Sequence, residues 1–546
     1  MKKHWLKVIG IVFAIFVVVL IALPFLVNVN SFRPKIESEA SSALGRQVKL
    51  GNLSLSLLSS TVEADDIAIA DDPAFSKSSF VTAHSLKIGI EMMPFIFSKQ
   101  VHITELLLVK PEITLLKDAN GTWNFSSLGG PANKKPSESK PGESGTQNLS
   151  VAKLNVTDGK FTIGRTNSSR KFRVYDQVNI TVTNFSATSK FPFSLTAQLP
   201  GGGGAHIAGA AGPISAADAA KTPFEVAVKV NDMHIGAYGF IDPSTGIDGL
   251  ASFDGTLNSN GSQAKAIGTF TGVKLKMSPK GTPATKTVVI KHSVDMDLDK
   301  ESATVSQGDI SIGKAQAHLT GTVQTQGDTQ VVNLKLNAPG MPIEELEAML
   351  PALGIDLPSG SQLKGGSLSL KLDVVGPADK LVITGPVKLS DTSLAGFNLG
   401  EKMGALSAFA GKAASKPDTE IKNFSLDAQV APEGTKADNI NLDVPAIGVI
   451  TGAGTVSPAG ALNFKMLANL SGGAAGGLTK VATAGSSKGG VPFAITGTTS
   501  DPKFVPDVGG VVGGVATGAA KDAAKVPSAA VSAPTKAVGG LVNKKN

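Results

Sequence analysis

Near the C-terminal end, Gly485-Ser486-Ser487-Lys488-Gly489 spells the G-x-S-x-G pattern of a serine nucleophile. That chemistry needs the serine on a sharp turn between a strand and a helix. The flanks here are rich in Gly, Ala and Ser, with neither element in place. Ser137-Glu138-Ser139-Lys140 fits S-x-x-K but lies in a Pro/Lys/Ser/Glu/Gly tract without apolar periodicity. His4, His84, His102, His206, His234, His292 and His318 stand too far apart for local metal-ligand pairs. The chain has no cysteine, which removes thiolate zinc sites, cysteine nucleophiles and disulfides. Gly201–Gly204 lacks the Gly-Lys-Ser/Thr of a phosphate loop. A net charge of +7 invites an anionic partner, yet the lysines are dispersed among acids as on a solvated surface, which argues against nucleic acid. The reading is of a protein that is not an enzyme and has no metal or cofactor.

The elements carry more information. Val8 to Val27 is uncharged and aliphatic, and about 20 helical residues cross roughly 30 Å, the hydrocarbon core of a bilayer. Lys2, Lys3 and Lys7 precede it, so residues 1–7 are expected in the cytoplasm and everything after residue 30 outside it. No convincing small-x-small cleavage site follows, which favours an uncleaved single-pass anchor (residues 8–27) over a removed signal peptide. A short helix is predicted from Arg33 to Leu44, with Ser31 as its cap and Gly45 after its end.

The period then drops to two. Leu53, Leu55 and Leu57 alternate with serines; Leu86, Ile88 and Ile90 repeat the rhythm, as do Val101 with Ile103 and Ile113 with Leu115. These ten residues are the candidate lining of an apolar wall. Residues 31–128 form a first β module. Residues 129–148 read as a disordered insert whose deletion is expected to leave folding intact. Strand signals return over 149–340 and again over 341–506, interrupted by helices at Pro342–Leu353 and near Glu401–Phe409. Residues 507–546, rich in Gly, Ala and Lys, read as a disordered tail, with a membrane-contacting segment as the alternative from the small-residue spacing of Gly509, Gly510, Gly513, Gly514 and Gly518.

Several motifs occur in order behind the anchor: Phe32-Arg33-Pro34-Lys35-Ile36-Glu37, Leu44-Gly45-Arg46-Gln47-Val48, Ala70-Asp71-Asp72-Pro73-Ala74-Phe75, Val109-Lys110-Pro111-Glu112-Ile113 and Asn120-Gly121-Thr122-Trp123-Asn124-Phe125. Together they resemble the opening of the AsmA family. Ile421–Leu470 and Asp501-Pro502-Lys503-Phe504-Val505-Pro506 resemble its C-terminal region more loosely. The resemblance implies a bacterial inner-membrane protein with its bulk in the periplasm, linked to outer-membrane biogenesis. It also implies an elongated β-groove, like that of bridge-like lipid-transfer proteins, carrying phospholipid between membranes.

The expected fold is therefore mainly β: an N-terminal transmembrane helix, then an elongated, curved, repeating groove of antiparallel strands with few short helices. About 25 strands at ~4.8 Å would reach on the order of 120 Å, with strand glycines supplying the bulges that curl the sheet. A two-sheet sandwich is the alternative cover for the apolar faces. The low aromatic content (5%) favours a smooth aliphatic lining for acyl chains over interlocking rings. Two functions follow from these folds. One is a phospholipid conduit; the other is a scaffold or regulator of outer-membrane protein assembly and targeting to the membrane, with outer-membrane or periplasmic proteins as partners.

Overall fold

A computed structural model describes residues 29–56, 59–91, 103–128, 150–168, 171–238, 241, 243–327, 329–358, 360–403, 417–470 and 490–506. The expected span Val8–Val27, the insert 129–148, the tail, Leu57, Val101 and the Gly485–Gly489 motif lie outside them. Among the described residues no helix is long and apolar enough to cross a membrane.

Helix α1 (Arg33–Leu44) follows a 3-10 turn and ends on Gly45, whose φ of 66° sits in the left-handed region that glycine tolerates. Its N-cap is Phe32, with no side-chain capping bond, and not Ser31. Beyond it, 26 strands among the described residues form a single sheet. The first are β1 (Val48–Lys49), β2 (Leu53–Ser56), β3 (Thr61–Ala70), β4 (Ser79–Ile90), β5 (Ile103–Val109), β6 (Glu112–Lys117), β7 (Ser150–Arg165) and β8 (Arg173–Ser186). β1 and β2 share one edge of β3; β5 and β6 share one edge of β4, and both pair with β7. Those pairings with β7 are parallel, a departure from the expected all-antiparallel order. From β7 onward the chain meanders, each strand antiparallel to the last. The one break is at β18 (Gln362–Lys364) and β19 (Ser367–Pro377), which share the edge of β20 (Val382–Ala395). With three positions shared in this way, the 26 strands occupy 23, on the order of 100 Å at ~4.8 Å each.

Alternating direction gives the sheet two rims. Arg165, Val288, Ile312 and Val444 stand at the level called here the upper rim; Ser150, Asp297, Ala431 and Val456 mark the lower. Strands bend midway at bulges. The residues there in the left-handed region are mostly not glycine: Asp158, Gln177, Asp232, Lys274, Asp391 and Asn439 have φ between 49° and 54°. Asn and Asp tolerate this conformation because their side chains bond locally.

The helices cover the apolar face near the upper rim. The expected single helix over Pro342–Leu353 is two short ones, α2 (Ile343–Glu347) and α3 (Leu350–Leu353), because β17 (Thr329–Pro342) runs to Pro342 and Pro351 restarts the turn. Met349 and Ala352 bury themselves against Leu275, Ala284 and Val288. Helix α4 (Leu399–Lys402) places Leu399, with Phe397 and Met403 beside it, over Ile450, Met466 and Phe493.

The two ends of the sheet are finished differently. On the first, Asn30, Glu37 and Ser41 supply side chains to outward-facing backbone groups. Leu53 N donates to Asn30 Oδ1 (2.8 Å), Leu50 N to Glu37 Oε1 (2.8 Å) and Val48 N to Ser41 Oγ (2.9 Å), while Asn30 Nδ2 donates to the Leu53 carbonyl (3.2 Å). The last strands are β25 (Val491–Gly497) and β26 (Pro502–Pro506). Thr498 and Asp501 exchange both backbone bonds, so residues 502, 504 and 506 turn their backbone groups outward. Two of those three are prolines, so among the described residues of β26 Phe504 alone offers an outward N–H at this edge.

Candidate functional site

The register partners of successive strands lie on one face, so an apolar residue can be followed across the whole sheet. From Leu55 the line runs through Val62, Ile88, Leu106, Leu154, Val182 and Phe193. After Gly209 it continues through Val226, Leu257, Ala266, Val294 and Val305. Beyond Gly321 it passes Leu334, Val374, Ile383 and Val430. A parallel line starts at Leu53 and passes Ala64, Leu86, Leu108, Val156, Ile180, Leu195, Ile207 and Val228. Away from the covering helices, most of these side chains are half-buried. The wall is neither fully packed nor fully wet.

Glycine explains how the face can be concave. Side chains on the inside of a curl crowd each other, and Gly209, Gly255, Gly268, Gly308, Gly321, Gly385 and Gly452 all occupy inner positions. A Cβ on Gly255 would stand 2.3 Å from the Ile267 carbonyl, and one on Gly268 2.7 Å from that of Asp254. The Phe253 ring lies over both glycines and replaces the missing side chains. His292 stands on the same face between Gly268 and Gly308, its ring 5.5 Å from that of Phe253.

The outer face is polar, and its charges are placed in register. Glu63 faces Lys87 (3.3 Å), Glu105 faces Lys153 (3.5 Å), Asp295 faces Lys265 (3.4 Å) and Asp373 faces Lys335 (3.7 Å). Such cross-strand pairs contribute little each but penalise a one-residue slip, which would set the apolar face in water.

The structure places the candidate residues as follows. Leu53, Leu55, Leu86 and Ile88 sit together on the inner face, with Ser54 and Ser56 exposed on the other. Ile113 and Leu115 lie on the same face, opposite Phe161 and Ile163 of β7. Ile90 is buried past a register shift at the end of β4, opposite Ile103. Sequence reasoning passed over Leu106 and Leu108, because the unbroken Leu106–Leu108 run hides its alternation. The pairing of Glu105 with Lys153 assigns the faces there.

Three of the N-terminal motifs, those holding Arg46, Asp71-Asp72 and Asn124, meet in one buried polar cluster beside this wall. Arg46 Nη2 donates to Asp72 Oδ2 (3.2 Å), the Asn124 carbonyl (3.0 Å) and Ser127 Oγ (2.5 Å). Asn124 Nδ2 donates to the Asp71 carboxylate (3.0 Å) and the Thr114 carbonyl (2.8 Å), and its Oδ1 accepts from Leu116 N (3.0 Å). Burial pushes the Asp71 carboxyl above its ordinary value despite Asn124. Burial also raises Asp72, but the Ala74 amide, Ser127 and Arg46 together bring it below that value. The cluster ties α1, the 71–72 turn and the 118–128 loop into one unit. It is a structural lock on the first module.

Comparison with curated proteins and with solved structures returns no match. The AsmA family model matches residues 1–402, which reaches well past the motifs and through the central strands. The chain belongs to the AsmA family.

Proposed function

We propose that this protein binds phospholipid acyl chains on the concave wall and conducts them between the inner and outer membranes, supporting outer-membrane biogenesis. In this reading residues 8–27 anchor it in the inner membrane and the sheet stands in the periplasm. The observation that carries the proposal is the apolar line from Leu55 to Val430, which passes strand after strand with only glycines as gaps. A wall as aliphatic as the bilayer interior makes transfer from membrane to wall nearly neutral. Leaving water, in contrast, is worth ~0.8 kcal/mol per CH₂. Near-neutral exchange suits passage, since a tight site would hold the lipid in place.

Photo-crosslinking groups at Ile88, Leu106 and Leu334 test the reading, with Ser54 and Ser56 as outward controls. Lipid adducts at the three inner positions and not at the serines are expected. Adducts to protein alone would sink it and favour the scaffold reading. Adducts at Ile88 and Leu106 but never at Leu334, beyond the α2–α3 cover, would mean that lipid is held and not passed along.

A further inference from the structure

Lys117 and Arg165 end β6 and β7 at the upper rim, on the inner face beyond Leu115 and Ile163. Their partner is Glu301, in the lower-rim turn between β14 (Val288–Asp297) and β15 (Ser302–Ile312). Lys117 Nζ lies 2.5 Å from Glu301 Oε1, and Arg165 Nη2 lies 2.6 Å from Oε2. A second contact runs in the same sense. Lys280, in the upper-rim loop after β13 (Gln263–Met277), donates at 2.8 Å to the Pro458 carbonyl. Pro458 belongs to the lower-rim turn between β23 (Gly448–Val456) and β24 (Leu462–Leu470). In both cases an upper rim meets a lower rim several strands further along, so the sheet coils until its own rims adjoin and form a seam.

Among the described residues no strand pairs across this seam; it is held by side chains. Partly exposed ion pairs are far weaker than a backbone ladder. The seam is therefore the line along which the trough parts first, and the wall behind it at Leu115, Phe161 and Ile163 is apolar. We propose that the seam is the lateral mouth through which acyl chains reach the wall, and that Glu301, gripped by Lys117 and Arg165, is its latch. This rests on the lipid-binding reading above.

The native chain has no cysteine, so a Lys117→Cys/Glu301→Cys pair can be bridged without competing thiols. The full chain in nanodiscs would be joined with a short, reductant-cleavable bis-maleimide, and uptake of an acyl-labelled phospholipid from phosphatidylethanolamine/phosphatidylglycerol vesicles followed. Bridging should slow uptake at least tenfold and cleavage should restore it, while Glu301→Gln alone should speed uptake severalfold. Equal uptake in bridged and cleaved protein would overturn the mouth, and failure to bridge at all would overturn the seam. If bridging succeeds but no form takes up lipid, the lipid-binding reading itself falls and the mouth with it.

Discussion

Asn124 makes three kinds of bond from a position 1% exposed, to the buried Asp71 carboxylate, the buried Leu116 amide and the partly buried Thr114 carbonyl. Asn124→Ala would strand the Asp71 carboxylate and two backbone groups, so a loss of about 3 kcal/mol is expected in denaturant unfolding. The neighbouring acids respond oppositely to pH. Asp72, held low, contributes stability above its unfolded value of 3.8 that is lost as pH falls through the lower folded value. Asp71, held high, carries a penalty present above its folded value and relieved as pH falls towards 3.8. Asp72→Asn should therefore weaken the protein at pH 7, with the difference closing in acid; a constant difference across pH would contradict this. On the wall, Ile88→Asp sets a carboxylate among Val62 and Leu106. It should abolish lipid adducts at Leu106 while the half-open site lets the strand remain folded, checked by circular dichroism.

At the scale of strands, alternation was legible from single side chains, because period two needs only the order of residues. Bulges were not. Glycine was expected to make them, whereas Asp158, Gln177, Asp391 and Asn439 take the left-handed conformation. The glycines instead clear the inside of the curl, a demand set by strands that are neighbours only after folding. Gly268→Val, driven against the Asp254 carbonyl and the Phe253 ring, should lower stability by ~2–3 kcal/mol in thermal or denaturant unfolding. Nor could the chain order reveal that Glu301 faces Lys117, a residue 184 positions earlier. The same scale explains Pro502 and Pro506. Replacing both with threonine restores outward donors beside Phe504, and the double variant should associate edge to edge, read by light scattering.

For the molecule as a whole, the parallel pairing of β6 with β7 changes the meaning of the 129–148 segment. Asn124 bonds at the level of Leu116, near the upper rim, while β7 begins at Ser150 on the lower. Those two levels stand roughly 40–50 Å apart along the length of β7, and parallel neighbours need a connection of a dozen residues or more. Five residues left after deleting 129–148 reach at most ~20 Å. The deletion should prevent folding, contrary to what composition suggests, whereas a Gly/Ser segment of equal length should support it; thermal unfolding of the two variants decides. Beyond this crossover, the meander has a consequence for how the protein is made. Each strand docks on the one just laid down, so a chain emerging N-terminus first can zip in the order of its delivery, without waiting for distant partners. The first edge is sealed by Asn30, Glu37 and Ser41 from the start, but the growing edge stays live until Pro502 arrives. Stalled or clipped fragments ending anywhere between β8 and β25 thus present a bare template, making the half-finished chain the form that a cell must clear.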